Sequence, residues 1–477
     1  MQIPPELMQF VSRDTYSLLI KGNSGTGKST LSLTILKALQ IRSNFFYIST
    51  RLSPRQLFVN YPWLDNFVIR ENMEANDPSN QRSSLSSFED ARLDEPESLF
   101  ERITNQLMDV KAPIIIIDSW DAIASFMDTE ARLNNERVLQ TWRERAGAKL
   151  IFTSEASQNN TLDFIVDGIV ELKQKAYRNT DIRQVFLAKL RGTKIHRSSY
   201  IFTLNKGIFR SYTHYDPSEF LTNTKINVIS KRKLLDQARL LLGPSSSLKK
   251  GRKYAGIICE DLNVEYSNFI QNKIILIEID RIISPNAYAS FLAKIASQFM
   301  SENDNGIIIQ PASGIEQQLI SEYLHPYLGQ KARKNIMLLH PIIDHSGTSK
   351  VTGEQIAHTP LPEILTNFQE AVPKLRCRKN NNLLGMIMLD EINDSSDEGF
   401  LFSKVLPYFR SSVNLSILVT LKPLKYKDIV RNVDVFLKLR LLHSTLLVES
   451  IIPNDHCHAL SVNSSLGFPI ISLDCLV

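Results

Sequence analysis

The sequence predicts an α/β protein with two cores in tandem, each a mostly parallel sheet flanked by helices. Apolar strand patterns alternate with helix patterns in both halves of the chain, and the run Ile114 to Ile117 is typical of a strand covered on both faces. The order of these patterns recurs along the chain. We therefore expect one core over residues 1–222, a basic linker or docking helix over 223–255 and a second core over 256–477.

The first core opens with a strand pattern, a glycine-rich loop and a helix pattern. Tyr16 to Ile20 predict a buried strand, and Leu31 to Leu39 carry apolar residues at helical spacing. The loop between them fits G-x-x-x-x-G-K-[ST] in full. Such glycines let backbone N–H groups turn towards phosphates, and the helix N-terminus adds a favourable dipole. We predict that this loop binds ATP through Gly22, Asn23, Ser24, Gly25, Thr26, Gly27, Lys28, Ser29 and Thr30.

Two side chains of the loop have specific expected roles. Lys28 is expected to neutralise the β- and γ-phosphates, and Ser29 to bind Mg²⁺. The second metal-binding residue should be an acid at the end of a later buried strand. Asp118 ends the strand 114–117 and is expected to hold Mg²⁺ directly or through water, with a structural cap as the alternative. Asp121 is a second acid nearby that could cap the following helix.

Three further segments complete the first core. Residues 149–157 predict a strand that ends in Thr153, Ser154 and Glu155; residues 165–174 predict a strand after an Asp-Gly turn; and residues 183–212 predict antiparallel strands around a basic loop. In this order, the segments resemble the KaiC branch of the RecA superfamily over roughly residues 1–215. The resemblance implies that the first core has a RecA-like P-loop NTPase fold and that Thr153 and Ser154 sense the γ-phosphate. Because the second half repeats the order of strand and helix patterns, we expect a second RecA-like core there.

The same resemblance implies that Lys189 and Arg191 are catalytic residues that reach across a subunit boundary to a neighbour's γ-phosphate. This neighbour is either a second copy in a homo-oligomer or the second half of the same chain, which would act as a built-in subunit. Cations offered in this way stabilise charge on a phosphoryl group in transfer. Two other interpretations of these basic residues stay open. One is a solvated edge of a hairpin, and the other is a nucleic-acid patch.

The sequence departs from this family at one position that matters for hydrolysis. KaiC-like ATPases place a glutamate, which positions the attacking water, at the end of the strand after the phosphate-loop helix. Here Ser49, Thr50 and Arg51 occupy that place, and Glu155 is a substitute candidate. We therefore predict ATP binding with slow hydrolysis, as in a nucleotide-gated switch. The polar segment from Glu71 to Glu97 is expected to be a long loop or insertion.

The second half repeats the strand and helix order without the phosphate loop. Where the loop should lie, residues 280–287 read DRIISPNA, which contains no glycine and no lysine. Asp390-Glu391 is expected to be a relic of a metal site or a structural cap. Asp167 and Asp434 open the antiparallel strands of the two halves at matching places.

A chain with one phosphate loop and one core without it resembles the archaeal gas-vesicle regulator family, GvpD. The resemblance also extends to the segment that follows the second strand and to the closing strands of the chain. It implies a nucleotide-dependent regulator that opposes a transcriptional activator, so that a regulatory protein is the expected partner. The resemblance supports a regulatory role and leaves the regulated target open.

Composition excludes several other classes of protein. The net charge of +5 and the 43% hydrophobic content are ordinary for a globular chain. No apolar run reaches the roughly 18 residues of a membrane-spanning helix, and the first residues lack a basic start followed by an apolar stretch, so that we expect a cytoplasmic protein. The cysteines are too widely spaced for a disulfide framework or a zinc site.

Three functions follow from these patterns. The leading prediction is a regulatory ATPase with weak activity that uses ATP and Mg²⁺. A nucleotide-sensing scaffold without hydrolysis is an alternative, because the expected glutamate is missing. A RecA-like DNA-binding ATPase is the other, although residues 121–147 form a mixed-charge helical stretch where such proteins need mobile basic loops. Contact with nucleic acid and the number of subunits stay open.

Overall fold

The computed structural model describes residues 3–42, 44–67, 86–92, 96–107, 112–155, 161–178, 180–221, 272–300, 305–327, 333–340, 360–377, 382–389, 395–421, 423, 431–452, 456–464 and 468–476. The chain divides into two compact units: Met1–Thr213 with Leu476–Val477, and His214–Cys475. The proposed linker 223–255 and the acids Asp390 and Glu391 lie outside the described residues. None of the described helices is long and apolar enough to cross a membrane.

The first unit is built on a nine-stranded sheet. Its strands are β1 (Tyr16–Gly22), β2 (Phe45–Ser49), β3 (Ser86–Asp90), β4 (Ile114–Asp118), β5 (Lys149–Ser154), β6 (Gly168–Tyr177), β7 (Thr180–Leu190), β8 (Ser199–Thr203) and β9 (Arg210–Ser211). They lie in the order β3-β2-β4-β5-β1-β6-β7-β8-β9. The first six strands in this order are parallel, and the pairs from β6 to β9 are antiparallel.

Helices cover both faces of this sheet. They are α1 (Pro5–Val11), α2 (Lys28–Ala38), α3 (Pro54–Asn60), α4 (Leu64–Phe67), α5 (Pro96–Leu107), α6 (Trp120–Ala124), α7 (Thr129–Ala146) and α8 (Thr161–Ile165), with a 3₁₀ turn at Asn205–Gly207. Successive strand residues point to opposite faces. Leu18 packs in the cluster that contains Leu31 of α2, whereas Leu19 packs in the cluster that contains Trp120 of α6. The β-branched and aromatic strand residues are therefore buried on both faces, as expected for central parallel strands.

The expectation of a loop from Glu71 to Glu97 is wrong at its carboxyl-terminal end. β3 forms within this segment and pairs in parallel with β2, and α5 begins at Pro96. Phe88 is the reason for the strand, because its ring packs against the rings of Phe45 and Phe58. A single aromatic residue among polar ones is too weak a pattern to predict an edge strand. Residues 68–85 and 93–95 of this segment lie outside the described part of the chain.

The second unit is built on another nine-stranded sheet. Its strands are β10 (Lys273–Ile279), β11 (Gly306–Gln310), β12 (Ile336–Leu338), β13 (Leu383–Leu389), β14 (Leu415–Thr420), β15 (Val435–Leu442), β16 (Thr445–Ile452), β17 (His456–Asn463) and β18 (Ile470–Cys475). Its helices are α9 (Pro285–Phe299), α10 (Gly314–Leu324), α11 (Leu361–Arg376), α12 (Ser395–Phe400) and α13 (Leu406–Ser412), with 3₁₀ turns at Pro217–Phe220 and His325–Tyr327 and a π turn at Leu401–Val405. Ser284 caps α9, and Pro285 opens its first turn.

The two sheets have the same topology. The second runs in the order β12-β11-β13-β14-β10-β15-β16-β17-β18, so that each of its strands has a counterpart in the first sheet. β1 and β10 have the same length, and five residues join each of them to its helix. The prediction of two α/β cores in tandem, with the phosphate loop only in the first, is confirmed.

Hydrogen bonds in both directions join Asp167 to the central strand of the first unit. The Asp167 amide donates to the Ser17 carbonyl at 3.0 Å, the Ser17 amide donates to Asp167 Oδ2 at 3.1 Å, and Arg143 of α7 donates to the same oxygen at 2.7 Å. This carboxylate therefore ties together a helix and the starts of two strands. Its side chain is 22% exposed.

Asp434 makes the same connection in the second unit. Its amide donates to the Ile274 carbonyl at 2.9 Å, and its Oδ2 accepts from the Ile274 amide at 2.9 Å and pairs with Arg410 of α13 at 3.2 Å. Ile274 follows the first residue of β10, as Ser17 follows the first residue of β1. The second unit has thus kept a structural acid of the repeat where it lacks the phosphate loop.

We expect Asp167→Ala to lower the free energy of unfolding of the first unit by about 2–3 kcal/mol, because a partly buried amide and the Arg143 guanidinium lose their acceptor. Urea denaturation followed by tryptophan fluorescence measures this, since all three tryptophans (Trp63, Trp120 and Trp142) lie in the first unit. The matched control is Asp14→Ala at an exposed position. Equal midpoints for the two variants would contradict the structural role.

Candidate nucleotide-binding site

The loop between β1 and α2 has a backbone shape that requires glycine. Gly25 and Gly27 have φ angles of 78° and 101°, in the left-handed region that side chains disfavour. Space is limiting as well, since a Cβ atom at Gly22 would lie 2.6 Å from the Leu172 carbonyl oxygen, and one at Gly27 would lie 2.8 Å from the Leu204 side chain. α2 begins directly after Gly27, so the loop leads into a helix N-terminus as the motif predicts.

Lys28 is held across its own loop. Its side chain is only 8% exposed, and Nζ donates to the carbonyl oxygens of Gly22 at 2.7 Å and Asn23 at 2.9 Å. Burial lowers the pKa of Lys28, and the nearby Glu155 carboxylate opposes this effect. A buried ammonium group at a helix N-terminus, next to backbone N–H groups, is suited to an anionic ligand.

Asp118 lies at the same edge of the sheet as the loop. It ends β4, which is separated from β1 only by β5. The side chain is buried, with Oδ1 accepting from the Thr153 hydroxyl and Oδ2 accepting from the Tyr47 hydroxyl at 2.5 Å. Burial, followed by the charge of Asp118, raises the pKa of Tyr47. Thr153, which the family resemblance implies to be a phosphate sensor, is thus placed against the predicted metal-binding carboxylate.

Asp121 positions the end of β5. Its Oδ1 accepts from the Ser154 hydroxyl at 3.0 Å, and its Oδ2 accepts from the Glu155 amide. The N-cap of α6 is Ser119, and Asp121 lies in the first turn of that helix. The sequence predicts Asp121 as a possible helix cap but does not indicate its link to Ser154, which lies at the end of β5.

An ion cluster stands where the expected glutamate is missing. Arg51 Nη1 donates to Glu155 Oε1 at 2.7 Å, and Lys28 Nζ lies 3.6 Å from the same oxygen. The hydrogen bond from Arg51 is the main cause that lowers the pKa of Glu155. No local sequence pattern indicates this cluster, because it depends on the sheet order: β2 and β5 both flank β4, so that their carboxyl ends meet at one edge.

A cleft of about 780 Å³ opens beside the loop. One side is formed by Lys21, by the loop residues Gly22 to Ser24 and by Thr26 and Glu155, and the other by residues of β6 and β7. The second group is mostly polar and charged, and it consists of Glu171, Leu172, Lys173, Gln174, Lys175 and Asp181. The volume is within the range of small-ligand sites.

Lys189 and Arg191 do not lie at the loop of their own chain. Lys189 pairs with Ile169, which in turn pairs with Leu19, three residues before Gly22 on β1. Three strand residues correspond to about 10 Å along the sheet, towards the edge opposite the loop. Lys189 Nζ donates to the Asp163 carbonyl at 3.0 Å, and Arg191 Nη1 lies 3.6 Å from Asp167 Oδ1. Burial, followed by the Arg191 charge, lowers the pKa of Lys189.

Among the residues that the structure describes, the corresponding edge of the second unit lacks counterparts of Lys28 and Asp118. Pairing registers align Asp118 with Met388, and loop lengths align Lys28 with Pro285. The turn itself is retained, because the Ile283 amide donates to the Asp280 carbonyl as the Thr26 amide does to that of Asn23. Ile282, at the place of Gly25, is 61% exposed. The described residues contain no cluster of three or more His, Cys, Asp or Glu residues that could hold a metal by itself.

Comparisons with known proteins support the interpretation of the first core. Residues 7–188 match the family model described as GvpD gas vesicle protein, P-loop domain. Protein GvpD1 of Halobacterium salinarum is 32% identical over 234 residues, which are 46% of this chain and 42% of that protein. Protein GvpD2 of the same organism is 26% identical over 237 residues, which are 47% of this chain and 46% of that protein.

A third relative is the circadian clock oscillator protein KaiC of Thermosynechococcus vestitus, which is 26% identical over 204 residues, or 40% of this chain and 39% of that protein. The matched segment thus spans less than half the length of each of these relatives. The predicted resemblance is confirmed: the first core of this chain is a P-loop domain that resembles those of GvpD and KaiC in the RecA superfamily.

Proposed function

We propose that this protein is a regulatory ATPase that binds Mg·ATP in its first unit and acts as a nucleotide-gated switch on a partner protein in the cytoplasm. The observation that carries the proposal is the arrangement of Lys28 and Asp118. Both are buried at one edge of the sheet, beside a loop whose backbone requires glycine at positions 22, 25 and 27. The similarity to proteins named GvpD and KaiC favours a regulatory role.

The residues of this edge fit a magnesium ion held together with phosphates. Mg²⁺ is usually bound by one or two protein oxygen ligands along with substrate phosphates and water. Ser29 would supply a hydroxyl from the first turn of α2, and Asp118 a carboxylate from the end of β4. The ion would neutralise charge on the phosphates, and the chain would orient them through Lys28 and the loop amides.

Slow hydrolysis is proposed because, in the part of the chain that the structure describes, an arginine and not a carboxylate stands at the place of the missing glutamate. Arg51 stands near that place, and Glu155 is bound to Arg51. The same contact favours a second candidate function, a nucleotide-sensing scaffold without hydrolysis. Single-turnover measurements with radiolabelled ATP separate the two, because the switch with ATPase activity converts bound ATP to ADP at a rate that Lys28→Ala removes.

Lys189 and Arg191 are proposed to act on the nucleotide of a second copy. Support comes from their position, since they lie towards the edge opposite their own loop, where they are too far to contact a phosphate bound there. Arg191 is 56% exposed, so that its guanidinium is accessible to another chain. A closed interface between copies would then depend on the γ-phosphate, which is a physical basis for a switch.

Mixing two inactive variants tests this role. We expect Lys28→Ala and Arg191→Ala each to reduce ATP turnover by at least roughly tenfold, by analogy with other cations supplied in trans. An equimolar mixture should recover part of the wild-type turnover, because the Lys28→Ala copy offers Arg191 to the intact loop of the Arg191→Ala copy. An exposed cation elsewhere, tested as Arg55→Ala, is the control. A mixture no more active than the sum of its parts would contradict action across subunits.

A further inference from the structure

We propose that Arg51 binds the γ-phosphate of ATP from within the same chain, and that Glu155 is the internal anion that this phosphate replaces. The inference rests on the proposed function, because it requires Mg·ATP at Lys28. It assigns a role to the residue that occupies the place of the missing glutamate. It also specifies how the site distinguishes a nucleoside triphosphate from a diphosphate.

One carboxylate oxygen joins the two cations. Glu155 Oε1 accepts from Arg51 at 2.7 Å and lies 3.6 Å from Lys28 Nζ. Arg51 and Glu155 are 50% and 33% exposed, whereas Lys28 is 8% exposed. The Arg51 guanidinium is therefore close to the phosphate-binding ammonium group and remains accessible from solvent. A ligand that enters the loop can reach both cations.

The backbone holds both members of the pair in place. The Thr50 amide, next to Arg51, donates to the Asp118 carbonyl at 2.8 Å, and the Leu52 amide donates to Ser49 Oγ at 3.0 Å. On the other side, the Glu155 amide donates to Asp121 Oδ2. Both side chains thus project from fixed strand ends, and only their rotamers need to change when an anion is exchanged.

Charge favours the exchange. A terminal phosphate presents three oxygens and more negative charge than one carboxylate, and a guanidinium can bind two of these oxygens at once. The phosphate would also contact Mg²⁺ and the loop amides. The Glu155 carboxylate does not gain these partners. A diphosphate at the same loop ends one phosphoryl group earlier. We infer that it leaves the contact between Arg51 and Glu155 in place.

The second unit provides an internal comparison. Loop lengths and strand registers align Lys28, Arg51 and Glu155 with Pro285, Ser313 and Leu421. All three counterparts are uncharged. The structural acid at Asp434 is nevertheless retained there. The ion cluster therefore accompanies the phosphate loop and is not a general requirement of the fold.

The test compares binding of a non-hydrolysable ATP analogue and of ADP, both with Mg²⁺, by calorimetry on the full chain. Arg51→Gln should weaken binding of the ATP analogue by roughly tenfold or more and change ADP binding little, as expected for one charge-assisted hydrogen bond. Glu155→Gln should strengthen binding of the analogue, because the competing anion is removed. Arg51→Lys should recover part of the affinity. Arg55→Gln on α3 is the control and should match the wild type.

The outcomes separate this inference from the proposed function. Wild-type protein that bound neither nucleotide would overturn both. If the wild type binds both nucleotides, and Arg51→Gln has the same ratio of ATP-analogue affinity to ADP affinity as the wild type, only the role of Arg51 is overturned. A gain of affinity for the analogue in Glu155→Gln supports the inference even if the Arg51 variants fail to fold. Misfolding of Glu155→Gln itself cannot explain such a gain, because a misfolded protein would lose affinity. A loss of affinity in Glu155→Gln would show that the carboxylate assists binding and would overturn the competition.

Discussion

Replacing Lys28 by alanine is expected to weaken Mg·ATP binding by roughly a hundredfold and to remove ATP turnover. The ammonium group is buried beside the helix N-terminus, and a charge-assisted hydrogen bond of this kind is worth up to about 3 kcal/mol. In the transition state the same group opposes charge on the phosphoryl oxygens, and the loss of one such donor typically costs roughly 10²–10³ in rate. Calorimetry and steady-state turnover measure the two effects.

The control for this variant is Lys149→Ala. Lys149 is partly exposed at the start of β5 and pairs with Tyr16, at the edge of the sheet opposite the loop. The substitution Lys149→Ala changes the net charge by the same amount as Lys28→Ala, so that a nonspecific effect of charge on nucleotide binding appears in both variants. If Lys28→Ala retained wild-type affinity while the fold was intact, nucleotide would have to bind elsewhere, and the proposed function would be wrong.

Replacing Lys294 by methionine is expected to raise the stability of the second unit by about 3 kcal/mol at pH 7. Lys294 lies on α9, is 1% exposed, and its ammonium group has no hydrogen-bond partner among the described residues. Its Nζ lies 5.0 Å from the centre of the Tyr327 ring. Burial lowers the pKa of Lys294 from 10.5 to about 8, and each pKa unit corresponds to about 1.4 kcal/mol. Methionine fills a similar volume without a charge.

The pH dependence gives this prediction a definite sign. The folded-state pKa lies below the unfolded one, so the unfolded chain binds more protons between pH values of about 8 and 10.5. Stability should therefore rise with pH in this range for the wild type, and this contribution should vanish in Lys294→Met. Hydrogen exchange of α9, followed by mass spectrometry at several pH values, measures the local free energy of opening. Lys374→Met, at a 64% exposed position, should change it little.

A destabilised or unchanged Lys294→Met protein would contradict this account. Such a result would mean that contacts with the surrounding residues stabilise the buried ammonium group by more free energy than its removal from water costs. Combining Lys294→Met with Tyr327→Phe then tests whether the Tyr327 hydroxyl stabilises the ammonium group, because the phenylalanine retains the aromatic ring and removes only the hydroxyl. That hydroxyl also lacks a hydrogen-bond partner among the described residues, although Tyr327 is buried.

Several features were determined by the sequence alone, since each depends on a short local pattern. The phosphate loop was predictable because glycines with left-handed backbone angles, a lysine and a helix start follow one another within nine residues. The buried strand that ends in Asp118 was predictable from four consecutive isoleucines. The second core, with the loop missing, followed from the repeated order of such patterns, and the matching strand orders of the two sheets confirm it.

Only the tertiary structure decided which of these residues meet. Arg51 and Glu155 are separated by more than a hundred positions and come together because parallel strands β2 and β5 end at the same edge. Lys189, by contrast, is directed away from its own loop by the register of β6 and β7. Local patterns specify where a strand or helix begins and ends, because backbone propensity and burial act over a few residues. Sheet order and register bring distant side chains together, and they depend on the packing of the whole core.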